Sequence, residues 1–170
     1  MNSLSKNILL LILLLANVFA SRLKLKKADI LESKNIGRES VQYLKGNVEF
    51  QKGLVHLKCQ YGTYKEKKDI AYLFEKVYVT KEALSLTCDS ITFYSKEDRI
   101  ESTGNPRVRD SDYSLSSDTL IYFTEIDSGV ALGQVELFQN NQKIRANRIE
   151  YIKRPGSSVV SYTAIGNVII

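Results

Sequence analysis

Histidine occurs once and cysteine twice in this 170-residue chain, and tryptophan is absent. A single imidazole, His56, excludes any site built from two or more histidines, and its place between Val55 and Leu57 reads as an outward strand position. Cys59 and Cys88 stand 29 residues apart and lack the close spacing of a metal-binding pair. There is no glycine-rich phosphate loop, no Gly-x-Ser-x-Gly elbow and no His-Glu-x-x-His helix motif. No catalytic residue, cofactor or metal is therefore expected. Hydrolysis would have to rest on carboxylates alone.

Long apolar runs are also scarce. The one at Ile8 to Ala16 is short, follows Lys6, and ends near Val18-Phe19-Ala20, a small-x-small pattern; residues 1–20 are read as a signal peptide and 21–170 as one domain. Roughly 20 apolar residues are needed to span a bilayer, so an uncleaved anchor is the weaker reading. No cysteine follows the run to take a lipid. The 24 basic and 19 acidic residues give a net charge of +5, but they interleave, as in Lys65-Glu66-Lys67-Lys68-Asp69, where solvated turns are expected. Nucleic acid calls for a concentrated basic face and is not an expected partner. Anionic lipid headgroups are compatible with this charge.

What the chain has in abundance is self-similarity. Leu57, Leu86, Leu115 and Ile144 recur every 29 residues, and so do Phe50, Val79, Val108 and Leu137. Tyr64, Phe93, Tyr122 and Tyr151 keep the same period, as does a small column of Cys59, Cys88, Ser117 and Ala146 followed by Gln60, Asp89, Asp118 and Asn147. Units open at Gly46-Asn47-Val48, Glu75-Lys76-Val77, Gly104-Asn105-Pro106 and Gly133-Gln134-Val135. A further opening, Gly166-Asn167-Val168, comes four residues late, which places an insertion in the Pro155-Gly156-Ser157-Ser158 stretch. Ala28-Asp29-Ile30-Leu31 reads as a degenerate first unit or cap.

Within a unit the apolar period is two, the mark of a strand with one buried face: Val55, Leu57, Cys59 and Tyr61 alternate with His56, Lys58 and Gln60. The alternation flips at Asp89-Ser90, Asp118-Thr119 and Asn147-Arg148, where corners are expected, with the Asp or Asn side chain capping freed backbone groups. No segment after Ser21 holds a helical period, so the fold is all-β, an elongated sandwich or flattened roll of about 29-residue repeats. Equivalent strands of successive units are expected to stack about 4.8 Å apart. The two apolar columns then line one interior. Tyr64, Phe93, Tyr122 and Tyr151 read either as core packing or as rings at the mouth of a groove. Cys59 and Cys88, in one column of consecutive units, are expected to be ladder neighbours, either bridged or left as buried thiols. Lys58 and Lys65 read as solvated or as phosphate contacts.

Lys27-Ala28-Asp29, the Gly-Asn-Val turns at Gly46 and Gly166, and the Cys88-Asp89-x-Ile91-x-Phe93 and Ser117-Asp118-x-Leu120-x-Tyr122 stretches resemble the OstA-like domain. That domain is found in the periplasmic bridge component of lipopolysaccharide transport and at the N-terminus of its outer-membrane translocon. The resemblance covers about Leu25 to Ile170. It implies an open β-jelly roll, acyl chains held among Phe50, Leu57, Val79, Leu86, Val108, Leu115, Leu137 and Ile144, and head-to-tail joining to other rolls of the type. It places the protein in the periplasm, with lipopolysaccharide or a similar amphipathic lipid as ligand, and allows association with the outer membrane. Pro106 departs from the valine column, and because proline cannot donate to a ladder an edge or bulge is expected there. The apolar Val168-Ile169-Ile170, with no partner strand after it, is the expected assembly edge. Two rival readings stand beside this one: a structural or adhesive β-repeat filled by its own side chains, and a periplasmic hydrolase on a jelly-roll scaffold.

Overall fold

A computed structural model describes residues 22–153 and 160–170. The expected signal peptide and the Pro155-Gly156-Ser157-Ser158 insertion lie outside them. Among the described residues the strands are β1 (Lys24–Lys27), β2 (Ile30–Ile36), β3 (Glu39–Lys52), β4 (Val55–Lys65), β5 (Ile70–Lys81), β6 (Leu84–Tyr94), β7 (Arg99–Thr103), β8 (Arg107–Arg109), β9 (Tyr113–Ser116), β10 (Thr119–Phe123), β11 (Ser128–Gln139), β12 (Gln142–Lys153) and β13 (Val160–Ile165). Among the described residues a single 3-10 turn occupies Ser95–Glu97. The strands pair antiparallel in one continuous sheet folded on itself, in the order β1-β3-β4-β5-β6-β7-β10-β11-β12-β13, with β2 on β3 and with β8 and β9 joining β6 to β11.

The fold line is a row of corners. Pairing shifts register at Lys45/Val48, Lys58/Tyr61, Phe74/Val77 and Leu132/Val135, so each long strand passes from one layer to the other. At two corners the strand breaks outright. Gly104-Asn105-Pro106 separates β7 from β8, and Ser117-Asp118 separates β9 from β10. Pro106 is buried at that break, where its missing N–H removes no ladder bond. The corner pairs adopt the left-handed conformation at both residues, as at Gly46 (φ 75) with Asn47 (φ 47) and Gly104 (φ 76) with Asn105 (φ 53). Glycine does this without strain and asparagine with little, which is why the openings read Gly-Asn.

The corner acids act through their main chain. Asp29, Asp89, Asp118 and Asn147 donate their backbone N–H to the carbonyls of Gly46, Gly104, Gly133 and Gly166 at 2.8 to 3.1 Å. Their side chains lie against those same glycines, on the face where a Cβ would stand. The expected capping by the Asp or Asn side chain is thus replaced by a backbone bond plus close packing. In the remaining unit Gln60 takes the acid's place, and Glu75, with φ 60, takes the glycine's. The small column has a matching role. Cys59, Cys88 and Ser117 donate from Sγ or Oγ to the carbonyl two residues on, those of Tyr61, Ser90 and Thr119, at 3.0, 3.4 and 3.0 Å.

Each repeat contains two strand passes, so equivalent positions lie two strands apart rather than one. Cys59 and Cys88 are accordingly not ladder neighbours. Cys88 faces Val77 on the intervening β5, and on the strand spacing the two cysteines are about 9.5 Å apart, beyond the roughly 7 Å that a disulfide spans. Both thiols are free and buried, and burial pushes each up to about 12.

Candidate functional site

The eight aliphatic and aromatic column residues form one cross-strand ladder. Phe50 pairs with Leu57, Leu57 with Val79, Val79 with Leu86, Leu86 with Val108, Val108 with Leu115, Leu115 with Leu137, and Leu137 with Ile144. All eight are buried. The opposite layer carries a second ladder, Tyr64, Ala71, Phe93, Ile100, Tyr122, Gly129, Tyr151 and Tyr162, also paired in turn. The aromatic column therefore faces inward across the interior.

The two halves of this interior are filled differently. Toward the N-terminus the layers meet in a filled core where the Phe50 and Tyr64 rings lie 5.5 Å apart and Phe93 and Ile100 are fully buried. Tyr64 and Phe93 are therefore core residues and not a groove mouth. The Tyr64 hydroxyl donates to Asp69 Oδ1 at 2.7 Å, and burial foremost, then that carboxylate, holds the phenol above its usual range. Toward the C-terminus the layers leave a cleft between the Leu86–Val108–Leu115–Leu137 part of one ladder and Tyr122, Gly129 and Tyr151 of the other. Leu120, Ala131 and Ile149 form its floor. Among the described residues no carboxylate lines it.

Side-chain volume explains where the cleft lies. At two inward positions of the second layer the residues are Ala71 and Leu73, then Ile100 and Ser102, then Gly129 and Ala131 at 29-residue intervals. The last pair is the smallest, and the space appears beside it. The cleft has about 40 Å³ clear. A water-sized group needs roughly 10–15 Å³ on this measure, so it holds a few such groups and no extended chain. The layers must part for anything longer to enter.

A polar mouth of about 160 Å³ adjoins the cleft and shares Leu84, Tyr122 and Tyr151 with it. Lys81, Glu82, Ala83, Asp110 and Asp127 complete its wall. The Lys81 ammonium donates to Asp127 Oδ1 and to the Thr124 carbonyl, both at 2.6 Å, and the Tyr122 hydroxyl donates to the same carboxylate oxygen at 2.5 Å. Burial first, then Asp127, keeps the Tyr122 phenol neutral well beyond the physiological range. Tyr113, whose ring lies 5.7 Å from that of Tyr151, is likewise held protonated by burial. The tyrosines thus present apolar ring faces to the cleft and neutral hydroxyls to its rim, which suits an amphipathic guest.

Tyr113, Leu120, Tyr162, Lys81 and Asp127 escaped the sequence reading. For the last two a signal existed: Lys52 and Lys81, like Asp69, Asp98 and Asp127, keep the 29-residue period. His56, Lys58 and Lys65 face outward, away from the cleft. Among the described residues no three His, Cys, Asp or Glu side chains gather as a metal site.

Exposed apolar segments lie at both ends of the roll. β2 pairs with β3 alone and is exposed throughout, including Ile30 (50%), Leu31 (49%) and Ile36 (57%). At the other end Val168 (47%), Ile169 (61%) and Ile170 (83%) are exposed. Ile169 exchanges both backbone bonds with Arg145, at 2.9 and 3.0 Å, which leaves its side chain outside the packed interior.

A family model described as OstA-like protein matches residues 61–169. The chain belongs to the OstA-like protein family. Its fold is also that of LptH, the LptA-homologous periplasmic component of the lipopolysaccharide transport device of Pseudomonas aeruginosa. The two chains are 13% identical over 84% of this chain and 94% of LptH, with a TM-score of 0.58. At that identity the likeness is one of fold. No curated protein matches the sequence. This OstA-like protein thus has an all-β jelly roll, a fold that it shares with a solved structure.

Proposed function

We propose that this OstA-like protein is a non-enzymatic periplasmic carrier of lipopolysaccharide or a lipid like it, which takes acyl chains between its two layers and passes them toward the outer membrane. The observation that carries this reading is the apolar cleft beside Gly129 and Ala131, open to a rim of tyrosine hydroxyls and charged groups. Burial of an acyl chain there removes apolar surface from water at about 25 cal/mol per Å². Membership of the OstA-like family and the fold shared with a periplasmic lipopolysaccharide-transport component support it. In the same reading, the exposed β2 edge of one molecule receives the Val168-Ile169-Ile170 end of the next by strand addition. Such a contact is heterologous and builds an open row of rolls, a bridge.

The test uses delipidated protein and cis-parinaric acid, a polyene fatty acid that fluoresces in apolar surroundings. Saturable uptake, reversed by unlabelled lipopolysaccharide, is expected. Ala131→Leu restores at this position the leucine present at Leu73 and fills the cleft, so it is expected to weaken uptake at least ten-fold while the protein stays folded. Absence of uptake by the native protein refutes the carrier reading and favours a structural β-repeat.

A further inference from the structure

We propose that a lipid chain enters this cleft sideways, between the hairpins on the margin opposite the corners, and that the Lys81–Asp127 ion pair is the latch that opens for it. This rests on the carrier reading above and concerns the route into the same cleft.

One side of the roll is held mainly by backbone, although the corner is broken at Gly104-Asn105-Pro106 and at Ser117-Asp118. Along the corner row β4, β5, β6, β11 and β12 run unbroken from layer to layer, so parting the layers there means breaking backbone pairing. The opposite margin is different, because there the hairpins of the two layers meet through side chains. Lys52, at the end of β3, reaches across to Asp98 at 2.8 Å and to the Ser95 carbonyl of the facing hairpin. Lys81, 29 residues later at the end of β5, makes the same reach to Asp127 and the Thr124 carbonyl. Each lysine thus ties a hairpin of one layer to a hairpin of the other.

The two ties are not equivalent. Lys52 is almost fully buried and lies over the Phe93 ring at 5.9 Å, closing the half of the interior that is already filled. Lys81 is more open, with its side chain 16% and that of Asp127 28% exposed, and it stands in the wall of the mouth that leads to the cleft. The next two positions of the lysine column are Asp110 and Gln139, which supply no cation. Lysine ties therefore stop where the cleft begins. The cleft in this state is too narrow for a chain, so loading requires the layers to separate. The margin beside Lys81 is where separation disrupts the fewest backbone bonds. Water reaches both partners of this pair and replaces part of what the opening removes, which is not so for the buried Lys52.

Cysteines replace Lys81 and Asp127 in a protein whose own Cys59 and Cys88 are changed to Ser, and a short bismaleimide joins them. A second protein carries the same link between positions 52 and 98. Parinaric acid uptake is followed by stopped flow, and circular dichroism monitors the fold. The 81–127 link is expected to slow loading at least ten-fold relative to the same protein unlinked, while the 52–98 link changes it less than two-fold. Lys81→Met, which removes the latch without any link, is expected to load at least three-fold faster than native protein. Equal loading of the linked and unlinked 81–127 proteins overturns lateral entry while leaving the carrier reading intact. If the native protein takes up no parinaric acid, the carrier reading fails and the latch fails with it.

Discussion

A methyl group added at Gly104 measures what the corners contribute. Gly104 has φ +76, a conformation that a residue with a Cβ adopts at a cost of roughly 1–2 kcal/mol. An added Cβ would also stand 2.5 Å from Asp89 Cβ and 2.6 Å from its Cγ, with the Oδ2 oxygen closer still. Asp89 cannot swing away without disturbing the bond from its own N–H to the Gly104 carbonyl at 3.1 Å. Overpacking of this kind costs about 1–3 kcal/mol more. Gly104→Ala is therefore expected to destabilise the protein by about 2–5 kcal/mol. Gly37 supplies the control, since it has φ +63 and nothing within 4 Å of a built Cβ. Gly37→Ala then carries only the conformational cost, about 1–2 kcal/mol. Urea unfolding of the three proteins gives the difference, provided the slope with urea is unchanged. Equal losses for Gly37→Ala and Gly104→Ala would show that the Asp–Gly contact is not a packing constraint. Adding Asp89→Gly to Gly104→Ala should recover the clash component and no more.

Three further outcomes follow from the same geometry. Cys59→Ser and Cys88→Ser should each change stability by less than about 1 kcal/mol, because Ser117 already makes the corner bond in that column; a larger loss in urea unfolding would contradict that role. Mass spectrometry of the non-reduced, denatured protein should find two alkylatable thiols, while native protein reacts slowly since burial holds both near 12 against a usual 9.0. Tyr64, Tyr113 and Tyr122 have raised folded values, so their contribution is complete below the usual phenol range near 10 and is lost as pH rises toward the folded values. The urea midpoint should hold from about pH 8 to 9 and fall steadily above about 10; a flat profile to pH 12 would contradict the buried phenols.

The ladder was legible in the sequence because strand pairing converts a fixed residue period into a fixed spatial row. Once Leu57 and Leu86 hold equivalent places, Val79 between them is fixed by the hairpin, and the interior follows. Strand count per repeat was not legible in the same way. A 29-residue spacing is compatible with one long pass or two shorter ones, and only the second places Val77 between Cys59 and Cys88. The cleft escaped for another reason. It arises from what Gly129 and Ala131 lack, and a missing side chain leaves the apolar pattern of a column intact. The pairing of Lys52 with Asp98 and Lys81 with Asp127 joins residues 46 apart, across two layers, where neither strand nor helix periodicity carries information.

Several departures from the repeat fall in one stretch, and that grouping explains how a regular roll becomes an unequal one. Between Gly104 and Ala131 the chain breaks two strands at their corners, at Pro106 and at Ser117-Asp118, and exchanges the lysine of the margin for Asp110. It also reduces the inward pair to Gly129 and Ala131. Each change weakens a different connection between the layers: the backbone at the corner, the ion pair at the margin, and the packing in between. Any one alone would lower stability with no gain in function, and natural sequences concentrate such losses where activity needs them. Together they set a filled N-terminal half beside a C-terminal half whose layers, on the lateral-entry proposal, separate for a guest. A guest chain that enters there restores the contacts that Gly129 and Ala131 forgo, so the loaded roll is expected to be more stable than the empty one by mass action. Thermal melting with and without saturating parinaric acid reads this directly. A higher midpoint with the probe, abolished by Ala131→Leu, is the expected result, and an unchanged midpoint in a protein that demonstrably binds the probe would place the guest somewhere other than this cleft.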